Sequence, residues 1–287
     1  MINRRFSGYL FASPWIITFG FFWVYPLFYS LYLAFTDYRL MHHTYKWVGL
    51  QNFERLLADQ SFLLALKNTF IFVFGTIPIT TVISLILALL IEKNFKGRAI
   101  FRSGYFIPSI TSMVVIALIF TNLYSRGGYL FLLSEMIGFS PPANGFLLSN
   151  KTALYSVMAM DIWMSVGYYM LLFLAGLKSI PKELYEAAEV AGAGFFRKLF
   201  SITLPLLKPV ALYIIVINTI KSFQVFVEIF VMTKGKYGST TAVYFIYESG
   251  LNRFDFGYAS AAAYLLFVII AAFSIAQFSL FRRRTVS

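Results

Sequence analysis

Cysteine is absent from this chain of 287 residues, and histidine occurs only twice, as the neighbours His42 and His43. The absence of cysteine excludes disulfides, thiolate chemistry and cysteine-ligated metal sites. Adjacent residues cannot share one helix face, so the two histidines do not form a metal-ligand pair of the usual i, i+4 type, and they are predicted to lie in a loop. The sequence therefore predicts neither a metal site nor a cofactor.

Charged residues are also scarce. They make up 13% of the chain, whereas 59% of its residues are hydrophobic, and a soluble domain carries about 25% charged residues. This deficit predicts a membrane protein. A formal net charge of +12 can indicate nucleic acid as a partner, but here the basic residues fall between apolar runs, which is the arrangement that sets membrane topology. We therefore expect a lipid bilayer around the chain and no nucleic acid.

Six apolar stretches are each long enough to cross a bilayer, which takes about 20 residues. Lipid cannot satisfy the open edges of strands, so every stretch is expected to be a helix. The predicted fold class is therefore all-α, a polytopic protein with six transmembrane helices in a single transmembrane domain over residues 1–287. The predicted spans are 11–35, 69–91, 103–123, 153–177, 206–232 and 259–281.

The density of lysine and arginine predicts the orientation of the chain. Fourteen basic residues lie in the N-terminus, the second and fourth connections and the C-terminal tail, counting Lys208 at the start of the fifth span, whereas nine lie in the other, longer connections. Because basic segments stay in the cytoplasm, both termini are predicted to be cytoplasmic. The first span is too long for the apolar core of a signal peptide and contains Pro14 and Pro26, so we expect it to be retained.

The fourth connection, residues 178–205, is predicted to form two short helices. Pro181 suits the first turn of a helix, because its missing N–H has no partner there in any case. Gly192 and Gly194 are expected to end the first helix. Pro205 marks the entry to the fifth span. A helical segment is thus predicted at the cytoplasmic surface between spans four and five.

The first of these two helices presents a surface of small residues, Ala187 and Ala188, with Glu186 beside them. Such a surface lets the backbone of another protein come close, as when a helix lies in a partner's groove. An ordinary surface helix would be just as rich in alanine and glutamate. Composition alone therefore leaves both interpretations open.

The spacing within this loop resembles a family motif. The loop reads Glu186, Ala187, Ala188, three further residues, Gly192, nine residues, and then Ile202, Leu204 and Pro205. This closely resembles the loop motif of binding-protein-dependent ABC importer permeases, and the resemblance, strongest to the maltose and glycerol-3-phosphate group, spans nearly the whole chain. It implies that Glu186, Ala187, Ala188 and Gly192 belong to a coupling helix that docks in a cleft of a cytoplasmic ATPase. Many relatives carry aspartate where this chain has Ala191, so no acidic contact is expected there.

The resemblance implies a permease subunit of an ATP-driven importer in the bacterial inner membrane, forming half of the pathway for a carbohydrate. The implied partners are a second, homologous permease subunit in a heterodimer, two cytoplasmic ATPase subunits, and an extracytoplasmic substrate-binding protein. The sequence has no glycine-rich phosphate loop and no recognisable catalytic motif, so the chain is not expected to be an enzyme. An importer of glycerol-3-phosphate or a related polyol phosphate is the alternative. An ion-driven secondary transporter is a further one, although no internal repeat typical of that class is found.

Polar and ionisable residues inside two predicted spans are candidates for the substrate pathway, because such residues are costly in a membrane. The candidates of span four share one helix face, and those of span five lie together on another. They are Asp161, Met164, Ser165 and Tyr168 in span four, and Asn218, Lys221 and Ser222 in span five. We expect both faces to line a central cavity, which the resemblance also implies. The alternative is polar contact between helices, including an ion pair between Asp161 and Lys221.

The charge of the substrate depends on what neutralises Lys221, since an unpaired ammonium near the membrane centre is unfavourable. Asp161 is one candidate partner and would leave a cavity suited to a neutral sugar. The other is the substrate itself, as a uronate, sulfate or phosphate. Lys234 and Lys236 in the fifth connection add positive charge at the outer mouth, and this favours an acidic substrate.

Overall fold

The computed structural model describes residues 4–41, 45–93 and 95–283, and its regular secondary structure in these ranges is helical apart from two isolated β-bridges. The prediction of an all-α fold is confirmed. His42 and His43 lie outside the described residues. The α-helices in chain order are α1 Arg4–Phe19, α2 Tyr25–Ala34, α3 Gln51–Ala58, α4 Gln60–Glu92, α5 Arg98–Ile110, α6 Met113–Tyr124, α7 Tyr129–Met136, α8 Ala153–Lys178, α9 Lys182–Val190, α10 Phe195–Lys198, α11 Leu204–Phe223, α12 Val227–Met232, α13 Ala242–Tyr247 and α14 Phe256–Arg283.

Short π-helical segments extend or join several of these helices. They are Gly20–Val24, Leu199–Thr203 and Glu248–Asn252, and a 3₁₀ turn covers Phe146–Leu148. The chain forms two compact units. One consists of Met1–Leu63 with Phe245–Val268, and the other of Leu64–Tyr244 with Ile269–Ser287. The single transmembrane domain expected over residues 1–287 stays a prediction.

Within the described residues, five helical segments are long and apolar enough to cross a membrane. They are Phe11–Ala34, Gln60–Glu92, Ala153–Lys178, Phe195–Met232 and Phe256–Ser279. Five of the six predicted spans therefore correspond to long apolar helices. The number six and the cytoplasmic position of both termini stay predictions.

The third predicted span, residues 103–123, is not a continuous helix, which corrects the sequence prediction. The helices α5 and α6 meet at a bend of 99° and supply a sixth span only if the pair crosses the membrane together. Thr111 and Ser112 at the bend have extended backbone, with ψ of 149° and 127°. Pro108, one turn before the bend, removes a backbone donor from the helix.

The fifth predicted span, residues 206–232, also contains a break. Helix α11 ends at Phe223 and α12 begins at Val227. The N–H of Gln224 closes the end of α11 by donating to the carbonyls of Ile220 at 3.3 Å and Lys221 at 3.0 Å. The helix therefore ends close to Lys221, one of the residues predicted to line the substrate pathway.

In the first unit, acidic side chains tie the segment after α2 to the start of α14. Asp255 accepts a hydrogen bond from Arg55 at 3.0 Å and lies 3.6 Å from Arg39. Asp59 caps α4 by accepting from the N–H of Ser61 at 2.8 Å, and it accepts from the hydroxyl of Tyr258 at 2.7 Å. The contact with Ser61 satisfies a donor at the N-terminus of α4, and the side-chain contacts of Asp255 and Asp59 join α3 and its flanking residues to α14.

The second unit is organised around α8, most of whose residues are buried. Near its N-terminal half, Met160 lies in a cluster with Phe72 and Ile229. Near its C-terminal half, Phe173 lies in a cluster with Ala88 and Leu207. Helix α8 is thus fixed against both α4 and α11, and its polar positions are held in place by these apolar contacts.

Candidate functional site

Lys221 of α11 and Asp161 of α8 form an ion pair, with Nζ 3.1 Å from Oδ1. The same ammonium donates to the hydroxyl of Ser165 at 2.7 Å. Ser165 lies one helical turn after Asp161, so both acceptors face α11 together. The Asp161 side chain is 4% exposed, whereas that of Lys221 is 42% exposed. A buried carboxylate is therefore neutralised by an ammonium that keeps part of its surface open.

An open pocket of about 270 Å³ lies against this ion pair. Four of the predicted pathway residues, Met164, Ser165, Tyr168 and Lys221, lie in its wall, together with Ser109, Tyr169 and Ile217. Three candidates of span four therefore meet one candidate of span five, Lys221, at the same pocket. Asp161 itself lies behind the wall, in contact with Lys221. Among the residues that the structure describes, no group of three or more histidine, aspartate or glutamate side chains could hold a metal ion.

A second pocket of about 420 Å³ opens where α11 gives way to α12, and it shares Ile217 and Lys221 with the first. Its wall includes Met113 at the start of α6, the non-helical residues 224–226, and Glu228 of α12. Non-helical backbone at membrane depth is tolerated only where it is buried in protein or lines a water-filled cavity. Both helix breaks adjoin residues of these two pockets, which is the arrangement expected of a solute pathway.

Ser222 lies on another side of α11, where it contacts α4, and Asn218 lies beside it. The hydroxyl of Ser222 is 3.1 Å from that of Thr76 and 3.4 Å from the side-chain oxygen of Asn218. Both residues are buried and neither lines the two pockets. The contact of Ser222 with Thr76 is polar packing between membrane helices, and the place of both residues in the pathway stays a prediction.

The close crossing of α5 over α8 is a feature that sequence reasoning missed. A Cβ atom at Gly167 would stand 1.8 Å from the carbonyl oxygen of Tyr105. Beside it, the hydroxyl of Ser109 donates to the carbonyl of Met164 at 2.7 Å and accepts from the N–H of Tyr168 at 3.1 Å. A glycine beside a polar helix face inside a span is the signal for such a crossing.

Helix α9, which contains the predicted coupling residues, ends in a motif built on Gly192. This glycine has a φ of +73°, and its N–H donates to the carbonyl of Glu189 at 2.9 Å. The N–H of Ala193 reaches back to the carbonyl of Ala188 at 2.8 Å. This pair of hydrogen bonds is a Schellman motif, which favours glycine in the left-handed conformation. The prediction that Gly192 ends the helix is confirmed.

The surface of α9 is open. Glu186, Ala187 and Gly192 are exposed and Ala188 is partly exposed. Apolar side chains at the end of α9 and in α10 are also exposed, Val190 at 92% and Phe196 at 71%. Two side-chain contacts join α9 to residues 195–203. Lys198 forms an ion pair with Glu189 at 2.6 Å, and the hydroxyls of Tyr185 and Thr203 lie 2.9 Å apart. An apolar surface of this kind, presented on a braced helix, is typical of a docking site.

The chain is similar to a protein family and to individual relatives. A family profile described as "Binding-protein-dependent transport system inner membrane component" matches residues 80–286. The probable ABC transporter permease protein YesP of Bacillus subtilis is 35% identical over 95% of this chain and 89% of the relative. The arabinooligosaccharides transport system permease protein AraP of the same organism is 33% identical over 97% of this chain and 89% of the relative.

A solved structure has the same fold. It is a crystal structure of a bacterial ABC transporter involved in the import of the acidic polysaccharide alginate. One of its chains superposes with a TM-score of 0.86 at 26% identity, over 98% of this chain and 97% of that chain.

Proposed function

The chain belongs to the family of binding-protein-dependent transport system inner membrane components, and we propose that it forms half of the translocation pathway for a carbohydrate that an extracytoplasmic binding protein delivers. It is a multi-pass membrane permease component of an ABC importer. The other half of the pathway comes from a second, homologous permease subunit. Two cytoplasmic ATPase subunits supply the energy, since the sequence has no phosphate-binding loop of its own.

The observation that carries this proposal is the meeting of Lys221, Ser165 and Tyr168 at a pocket beside two broken helices. Hydroxyl and ammonium groups are the donors and acceptors that a sugar requires. Tyr168 adds an aromatic ring with an exposed face, which can stack against the apolar face of a sugar ring. A cavity with apolar walls and a few convergent polar groups is the usual form of a small-molecule site.

The coupling residues Glu186, Ala187, Ala188 and Gly192 support the ATPase part of the proposal. The first three lie on an exposed helix whose small side chains allow close approach of a partner, and Gly192 follows the end of that helix. The brace between Lys198 and Glu189 transmits movement of this helix to the segment that leads into α11. Because α11 carries Lys221, displacement of the docked helix reaches the pocket through one continuous stretch of chain.

The carbohydrate part of the proposal is supported by the relative named for arabinooligosaccharide transport and by the structure described as importing alginate. No finding favours glycerol-3-phosphate or another polyol phosphate as the substrate. Membership of the family also argues against an ion-driven secondary transporter.

The proposal is tested by isolating the importer through an affinity tag on this chain. We expect co-purification of one homologous permease and an ATPase, and ATP-dependent uptake of a labelled saccharide by proteoliposomes containing the complex and its binding protein. A panel of neutral and uronate-containing oligosaccharides serves as the probe. Uptake by this chain alone, without an ATPase subunit, would contradict the proposal.

A further inference from the structure

The two pockets that share Lys221 have a defined balance of charge. Among the described residues in their walls, Lys221 is the only basic one and Glu228 the only acidic one. The ammonium of Lys221 is already neutralised by Asp161 behind the wall. With Glu228 ionised the cluster carries one net negative charge, and with Glu228 protonated it carries none. In neither state does this half of the cavity offer an unpaired positive charge.

The hydrogen-bonding capacity of Lys221 also favours an uncharged group in the pocket over an anionic one. An ammonium has three N–H donors, and those of Lys221 reach Asp161 and Ser165. One donor is left for a group in the pocket, and a sugar hydroxyl or ring oxygen fits it. A carboxylate would have to compete with Asp161 for the same ammonium, and an ionised Glu228 would in addition repel it.

From these contacts we infer that the half of the cavity built by this chain selects uncharged saccharides and disfavours uronates and other anionic ones. The inference rests on the proposed function, because it concerns the substrate of that same pathway. This inference is the opposite of the sequence-based expectation that Lys234 and Lys236 favour an acidic substrate. Those two side chains are exposed in the loop after α12, outside the walls of both pockets, where water and salt screen them.

The absence of cysteine allows the electrostatic premise to be measured without knowing the substrate. Gln224 lies in the pocket wall between Lys221 and Glu228 and is exposed, so a Gln224→Cys variant places one thiol of this chain there. The purified importer in detergent is treated with an anionic ethylsulfonate and a cationic trimethylammonium methanethiosulfonate. The rate of thiol modification by each reagent is measured by mass spectrometry of the chain. The ratio of the anionic to the cationic rate is then divided by the same ratio for free mercaptoethanol.

We expect a normalised ratio at or below one, falling to about one tenth if Glu228 is ionised, since a local field of one sign changes ion concentrations by about tenfold or more. Adding Asp161→Asn should raise the ratio at least severalfold by freeing the charge of Lys221. Glu228→Gln should raise it as well if Glu228 is ionised, and should leave it unchanged if Glu228 is protonated. Gel filtration of each variant checks that the importer assembles. A Tyr237→Cys variant, between Lys234 and Lys236, is the matched control and should give a ratio above one.

The outcomes separate this inference from the function on which it rests. A ratio above one at position 224 in the otherwise unchanged chain overturns the inference of a neutral substrate while leaving the pathway intact. Failure of both reagents to modify position 224, with position 237 reactive, shows that the pocket holds no water and contradicts the proposed pathway itself. An unchanged ratio in the assembled Asp161→Asn variant also overturns the inference, because Asp161 then does not set the charge of the cavity.

Discussion

The crossing of α5 over α8 depends on Gly167, and its replacement by alanine is the most sharply defined perturbation that the structure offers. The added Cβ would lie 1.8 Å from the carbonyl oxygen of Tyr105, a separation that real Cβ atoms essentially never show. The obstacle is backbone, so no side-chain rotation relieves it. To restore an ordinary contact, α5 must retreat from α8 by at least about 1 Å.

Such a retreat has two consequences. Overpacking a tight contact costs about 1–3 kcal/mol. The hydrogen bonds of Ser109 to Met164 and Tyr168, of 2.7 and 3.1 Å, lengthen at the same time, and each contributes about 1 kcal/mol. We therefore expect Gly167→Ala to lower the free energy of unfolding by about 2–4 kcal/mol. Because Ser109 lines the pocket at Lys221, transport should fall as well.

Gly104→Ala is the matched control, since a Cβ at Gly104 on α5 meets nothing within 4 Å. There the substitution should be neutral or stabilising by up to about 1 kcal/mol, through the greater helix propensity of alanine. The assay is thermal unfolding of the two purified variants in detergent, followed by uptake in proteoliposomes. Equal melting temperatures and equal uptake for Gly167→Ala and Gly104→Ala would refute the reasoning.

Three further predictions concern the termini of helices and the topology. Gly192→Trp should abolish uptake while the chain still inserts into the membrane. Gly192→Asn should retain most of the uptake, because asparagine tolerates the left-handed backbone. Equal uptake by both variants would contradict docking at this position. A cysteine at Lys198 should resist impermeant thiol reagents in intact cells while one at Lys236 reacts, and external labelling at Lys198 would invert the topology. Burial tends to raise the pKa of Asp59, but hydrogen bonds from Tyr258 and the N–H groups of Ser61 and Phe62 outweigh it and hold the pKa below its ordinary value. The stabilisation of the folded chain by the Asp59 carboxylate is therefore complete above the pKa of the unfolded chain and is lost as the pH falls through the lower folded value. Asp59→Ala should lower the free energy of unfolding by about 1 kcal/mol at pH 7 and by less in acid. A loss that does not depend on pH would exclude the carboxylate cap.

Local signals in the sequence were sufficient to predict those features that depend on backbone conformation alone. Gly192 ends α9 because a helix C-terminus favours a residue that accepts positive φ, and no distant contact is needed. The long apolar runs predicted helices because lipid leaves a lone segment no other way to satisfy its backbone. The shared face of Met164, Ser165 and Tyr168 followed from helical periodicity, and these residues do line one pocket.

The parts that sequence reasoning missed depend on contacts between distant segments. Pro108 is a local signal for a break near Thr111 and Ser112. The hydrogen bonds of Ser109 to α8 that accompany the bend are not revealed by any pattern within span three. Ser222 shares the apparent polar stripe of Lys221 but contacts Thr76 of α4, because the stripe on α11 is divided between two neighbouring surfaces. Periodicity identifies a polar face, whereas the partner of that face is set by the packing of the whole helix bundle.

Alternating exposure of the pocket at Lys221 is the property that a translocation pathway must have, and the thiol of a Gln224→Cys variant reports it most directly. In sealed proteoliposomes containing the complete importer, an impermeant maleimide is added on the side where the binding protein acts. We predict that the labelling rate at position 224 changes at least about tenfold when ATP and loaded binding protein are supplied. The rate at a Tyr237→Cys control in the exposed loop should change much less under the same conditions, because that position is exposed in this structure without any opening of the pathway. A labelling rate at position 224 that is the same with and without ATP and loaded binding protein, in an importer that still hydrolyses ATP, would contradict the assignment of this cavity to the pathway.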